Sequence, residues 1–111
     1  MTRQEARALV ERHINEPDPY SPNKPELVVL DELTREEPFG WVFFYSTRAF
    51  RESGSVLDSL VGNAPLIVDA GTGELHVTGT ADPIEVYIQN YKRYGTPHAK
   101  KSWFSRLVPA P

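Results

Sequence analysis

The chain contains no cysteine. Disulfides, thiolate metal sites and a cysteine nucleophile are excluded with it. Small secreted domains often depend on disulfides, so the absence favours a reducing compartment. Long apolar runs are missing too, and nothing approaches the ~20 residues that span a bilayer. Met1 is followed by the polar run Thr2-Arg3-Gln4-Glu5, with no apolar segment behind it, unlike a signal peptide. The expectation is a cytoplasmic protein with no membrane contact.

Histidine is scarce. His13, His76 and His98 are the whole set, and no two have the His-x-x-x-His spacing of a helical zinc pair. Gly71-Thr72-Gly73 lacks the Gly-Lys-Ser/Thr ending of a phosphate loop and joins two strands instead of a strand and a helix. Ser46, His76 and Asp69 supply the residue types of a hydrolytic triad, but no Gly-x-Ser-x-Gly elbow accompanies them. The reading is therefore no enzyme, no cofactor and no metal.

What the chain has is one domain's worth of ordinary globular composition: 111 residues, 40% hydrophobic, 24% charged. Its net charge of -3 is unevenly spread. Residues 1–91 carry all 15 acids and seven of the 12 bases, a charge of -8; residues 92–111 carry five bases and no acid. An acidic body repels nucleic acid and suits a basic protein partner. The basic end reads as a solvated terminus.

Local signals divide the chain clearly. Thr2 and Glu5 form a capping box before Ala6, Leu9, Val10, His13 and Ile14, which make one apolar helical stripe ending near Asn15. On that stripe His13 is expected to be half-buried. Residues 16–25, with four prolines, permit neither helix nor strand, and Tyr20 is expected to pin this linker to the core. Residues 26–33 and 41–47 read as a hairpin. Residues 48–62 read as a short helix or a structured loop, with Val56, Leu57 and Leu60 at helical spacing. Leu66–Asp69 and Glu74–Thr78 read as a second hairpin around a tight turn, with Leu75 and Val77 inward and Glu74, His76 and Thr78 outward. Asp82 is expected to N-cap a last helix, with Pro83 at its first position and Gly95 ending it. The predicted fold is α+β: a four-stranded antiparallel sheet of two hairpins, with the N-terminal and C-terminal helices packed on one face. Residues 1–95 form the domain and residues 96–111 a basic, aromatic-containing tail.

Gly40-Trp41, Gly62-Asn63-Ala64-Pro65-Leu66-Ile67-Val68-Asp69, Thr72-Gly73-Glu74-Leu75-His76 and Gly79-Thr80-Ala81-Asp82-Pro83-Ile84-Glu85-Val86-Tyr87 together resemble the YrhB-like, or immunity protein 35, family. The resemblance runs from about Gly40 to Tyr91. It implies a small bacterial α+β protein that neutralises a cognate polymorphic toxin by binding it. A chaperone-like role for family members is the alternative, and the resemblance brings no catalytic residues. The same residues also have a purely architectural reading as turn glycines, a strand entry and a helix cap.

Two features suit protein binding. Asp31, Glu32, Glu36 and Glu37 cluster around the first hairpin, where a solvated edge is the plainer reading. Trp41, Phe43 and Tyr45 project to one face of their strand, and Val42 and Phe44 to the other. One face is expected to lie under the helices; the other is apolar too and needs cover, in cis from the tail residues Trp103, Phe104, Leu107 and Val108, or in trans from a second copy in a homodimer or from a toxin. The candidate contact residues are therefore Asp31, Glu32, Glu36, Glu37, Trp41, Phe43 and Tyr45, with acids steering a basic toxin and aromatics anchoring it.

Overall fold

The computed structural model describes residues 1–54 and 63–98. The element order is α1 (Arg3–Ile14), β1 (Leu27–Val29), a 3-10 turn (Asp31–Leu33), β2 (Arg35–Glu37), β3 (Gly40–Phe43), β4 (Tyr45–Thr47), α2 (Arg48–Ser53), β5 (Leu66–Asp69), β6 (Leu75–Val77) and α3 (Ile84–Tyr94). This is the α+β class expected. The helix in 48–62 is α2, while Val56, Leu57, Leu60 and Gly62 lie outside the described residues.

The capping box at α1 is present in full. Thr2 Oγ1 accepts from the Glu5 amide at 3.1 Å, and the Thr2 amide donates to Glu5 Oε1 at 2.9 Å. Asn15 ends the helix, then does a second job. Its side-chain amide donates to Leu27 O and accepts from Leu27 N, each at 2.9 Å, which covers the start of β1.

The first hairpin is more broken than its sequence suggests. Strand 26–33 does not run straight. β1 pairs with β4 in a two-stranded sheet, and β2 pairs with β3 at the edge of a four-stranded sheet ordered β2-β3-β5-β6. Val29 faces Tyr45 and Arg35 faces Val42, so Leu30–Thr34 stand opposite only Phe43 and Phe44. The excess is taken up by the 3-10 turn, and the ribbon bends there, as at a large bulge. Leu30 N still donates to Phe44 O at 2.8 Å across the bend. The second hairpin is as expected. Asp69 Oδ1 accepts from the amides of Gly71 (2.7 Å) and Thr72 (3.0 Å), and Gly73 takes φ +74°.

The two long helices do not share a face. Ala6, Val10 and Ile14 of α1 pack with Val29, Phe43, Leu66 and Val68, flanked by Trp41, Tyr45 and Leu75. Ile88 and Tyr91 of α3 pack instead with Val42 and Ile67, flanked by Phe39 and Phe44. Partners in register, Trp41 with Val68 and Val42 with Ile67, confirm that the clusters lie on opposite sides of one sheet. The expected one-sided packing is therefore corrected to a helix on each face. The reason is the continuous apolar run in β3 and β5, which one layer of helices cannot cover.

Smaller expectations are also revised. His13 is exposed, because it lies at the margin of the stripe that Ala6, Val10 and Ile14 bury. Tyr20 is 94% exposed and pins nothing. Along β6 Leu75 packs on the core and Glu74 is exposed, as expected, but Val77 is 45% exposed, whereas Thr78 just beyond the strand is buried and its hydroxyl donates to Pro65 O at 2.6 Å. His76 is half-buried beneath α3, its ring 5.1 Å from that of Tyr91. Asp82 does not cap α3; Pro83 is the N-cap, with no side-chain hydrogen bond. The Asp82 amide donates instead to the Tyr87 hydroxyl at 3.3 Å. Gly95 ends the helix at φ +73°, as expected.

Gly40 is where β3 and β5 come closest to intolerance of a side chain. It has φ +152°, and a Cβ there would run into Val68 O and stand 2.8 Å from Ala70 N. Gly54 also has positive φ, +69°, but faces open space. Gly40→Ala is expected to cost about 2–4 kcal/mol, and Gly54→Ala about 1–2 kcal/mol, from conformational strain alone. Urea denaturation of the two variants checks the order, and equal losses would refute it.

Candidate functional site

The residues singled out for binding divide into a buried set and a paired set. Phe43 is fully buried under α1, out of reach of any partner in this fold. Trp41 and Tyr45 are half-buried against the same cluster. Burial also raises the Tyr45 phenol pKa. These aromatics therefore form a wall of the core, with α1 as their cover. Val42 and Phe44, on the other face, meet α3. The tail residues Trp103, Phe104, Leu107 and Val108 lie outside the described residues.

The four acids all meet cations of the same chain. Arg7 makes a two-pronged contact with Asp31, Nε to Oδ1 at 2.6 Å and Nη2 to Oδ2 at 3.1 Å, and its Nη1 reaches Glu11 at 2.6 Å. That hydrogen bond from Arg7 holds the Asp31 carboxyl below its usual range. Arg3 donates to Asp31 O at 3.2 Å and approaches Glu36 at 3.7 Å. Arg51 lies 3.4 Å from Glu32 and donates to Val29 O at 3.2 Å. Glu37, whose side chain is only 10% exposed, sits between Arg35 at 3.4 Å and Lys92 at 3.1 Å. Arg35 also reaches Glu85 on α3 at 2.8 Å. The acidic hairpin is thus tied to α1, α2 and α3. The exposed pairs, those of Asp31, Glu32 and Glu36, each contribute little, on the order of 0–1 kcal/mol. Their larger effect here is to fix side chains that would otherwise be free to meet a partner.

A second polar cluster lies where α3 crosses the β5–β6 turn. It is an open depression walled by Phe39 and Tyr91, with Asp69, Glu74 and Lys92 at its margin. The Tyr91 hydroxyl donates to Asp69 Oδ2 at 2.7 Å. Burial first, and that hydrogen bond second, push the Tyr91 phenol well up, and the same bond, followed by the Thr72 and Gly71 amides, holds Asp69 down. Donors converging on one carboxylate build the turn and dock the helix on it. The residues of the imagined triad are not brought together: Ser46 is buried in β4, Asp69 is occupied by Tyr91, and His76 Nε2 has no hydrogen-bond partner among the described residues. His98 Nε2 contacts Val77 O at 2.7 Å, far in role from either. Among the described residues, no three His, Asp or Glu side chains converge as a metal site requires. No helix among them is long and apolar enough to cross a membrane.

The acidic loop Glu16–Pro25 carries features that sequence reasoning passed over. Every residue in it is exposed, and Tyr20 is the most exposed large hydrophobic side chain among those described. The available signal was the lone aromatic between Asp18-Pro19 and Ser21-Pro22, with no apolar neighbour at strand or helix spacing to hold it in a core.

A helix on each face of an antiparallel sheet, closed by a charged rim, makes this a small α+β domain. The chain belongs to the Immunity protein 35 family, whose model matches residues 4–92. That span takes in α1 and the proline-punctuated loop, beyond the 40–91 region whose residues carried the resemblance. A stretch of 53 residues is 47% identical to the uncharacterized protein YrhB of Escherichia coli (strain K12). It covers 48% of this chain and 56% of that relative, little more than half its length. No solved structure matches.

Asp69 makes the electrostatics testable. Its folded pKa lies below the ordinary 3.8, so its contribution to stability is present above that pH and is lost as pH falls through the folded value. Asp69→Asn places Nδ2 opposite the Tyr91 hydroxyl and removes its acceptor. We expect a loss of about 1–3 kcal/mol at neutral pH, with the gap to wild type closing below pH 3.8. A gap that stayed constant from pH 7 to pH 2.5 would show that the carboxylate charge is irrelevant.

Proposed function

We propose that the chain neutralises one cognate bacterial toxin by stoichiometric protein–protein binding, acting as a binder and not as a catalyst. The observation that carries the reading is membership of the Immunity protein 35 family over residues 4–92. Two physical features support it. The body is strongly acidic, which steers a basic partner toward it and raises the association rate. Asp31, Glu32 and Glu36 stay at the surface and add to that field, although arginines hold each of them.

The chaperone-like alternative needs a broad apolar surface for many clients. Among the described residues, both sheet faces are occupied, by α1 on one side and α3 on the other. Among the described residues the large exposed apolar side chains are spread over the chain: Met1, Tyr20, Leu33 in the 3-10 turn, Val77 on β6, and Val86 and Tyr94 two turns apart on α3. That distribution favours one specific partner.

Growth provides the test. Expression of the product of the gene neighbouring this chain's own should arrest cells, and co-expression of this chain should restore growth, with a one-to-one complex on gel filtration. Toxicity that persists, with no complex formed, would remove the immunity reading.

A further inference from the structure

Tyr20 is 94% exposed, against 60% for Tyr94, the next most exposed aromatic among the described residues. Its phenol makes no hydrogen bond to the described residues, and at 94% exposure the ring adds little to the core. An aromatic ring held wholly in water is the kind of group that gains most from burial against a partner.

The loop that carries it is already ordered. Pro17, Pro19, Pro22 and Pro25 restrict the backbone. Asp18 Oδ1 accepts from the Tyr20 amide at 2.9 Å, and Asp18 O accepts from Ser21 N at 3.0 Å, so Tyr20 lies inside a closed turn. Lys24 N donates to Ser21 O at 3.2 Å. The Lys24 ammonium turns inward onto Glu16 O (2.7 Å) and Ile14 O (3.3 Å), at the carbonyl end of α1. Asn15 closes the base of the loop on Leu27. A loop fixed before binding loses less entropy on association than a flexible one.

Charge adds a direction. The acids of the first hairpin are matched by arginines or Lys92, as described above. Glu16 and Asp18, either side of Pro17 and next to Tyr20, have no cationic partner among the described residues. With Lys24 directed at carbonyls, the outward charge of the loop is negative.

We infer that the Glu16–Pro25 loop is the surface by which this chain docks on its partner, with Tyr20 as the anchor. The partner it fits is a protein with an apolar cleft sized for one ring and lysine or arginine side chains at its rim. The inference rests on the immunity reading and deepens it, since the occupant is taken to be the cognate toxin. Tyr20 seats in the cleft and excludes water, while Glu16 and Asp18 meet the basic rim.

The probe is an inactivated form of the toxin that the growth test identifies, titrated against the full chain by calorimetry and by stopped flow. Tyr20→Ala is expected to weaken binding by roughly 30-fold or more, as at an interface hot spot. Its melting temperature should match wild type, and Tyr20→Phe should retain most of the affinity. Glu16→Gln with Asp18→Asn keeps the acceptor for the Tyr20 amide and removes both charges. It should slow association several-fold at low salt, with the difference fading at high salt. Wild type that binds while Tyr20→Ala binds within twofold of it overturns the inference and leaves the immunity reading intact. Wild type that fails to bind overturns both.

Discussion

Water has to be kept from both faces of the β3–β5 pair, and much of the structure follows from that need. Trp41, Phe43, Leu66 and Val68 face one way, and Val42 and Ile67 the other. A sheet with one apolar face needs a single covering layer; this one needs two. α1 supplies the first through Ala6, Val10 and Ile14, and α3 the second through Ile88 and Tyr91. The helices come from opposite ends of the described chain, so the sheet joins the N-terminal segment to the C-terminal one. Gly40 lets the pairing close, since a side chain there would strike the Val68 carbonyl.

Among the described residues, once both faces are covered, the exposed large apolar side chains are few, and charge acquires two separate roles. Around the first hairpin it is internal. Arg3, Arg7, Arg35, Arg51 and Lys92 tie Asp31, Glu32, Glu36 and Glu37 to the helices. At the Glu16–Pro25 loop it points outward. A binder that acts through a small, ordered protrusion is consistent with a body whose sheet is wholly committed to its own core.

Much of the fold was legible, because the informative signals were local. The Thr2/Glu5 box, the prolines after Asn15, the Asp69–Gly73 turn and Gly95 each act within a few residues of themselves. Those elements formed where the residues placed them. The break in the first hairpin was hidden. Leu30–Thr34 bulge against Phe43 and Phe44 because one ribbon must serve two sheets, which no local propensity records. The candidate contact residues were legible as residue types only. Phe43 looks the same in sequence whether it faces a helix or a partner.

By itself, then, the sequence determined the α+β class, the bounds of α1, the end of α3, the Asp69–Gly73 turn, the acidic balance and the family resemblance, all carried by short-range patterns and composition. The tertiary structure alone decided that the helices lie on opposite faces, that Phe43 is core, that the hairpin acids are paired, and that Tyr20 stands in water. The first three depend on contacts between residues distant in the chain, such as Arg7 with Asp31 or Tyr91 with Asp69, and the last on the absence of any such contact among the described residues. Periodicity can assign a residue to a face, but only packing shows what that face meets.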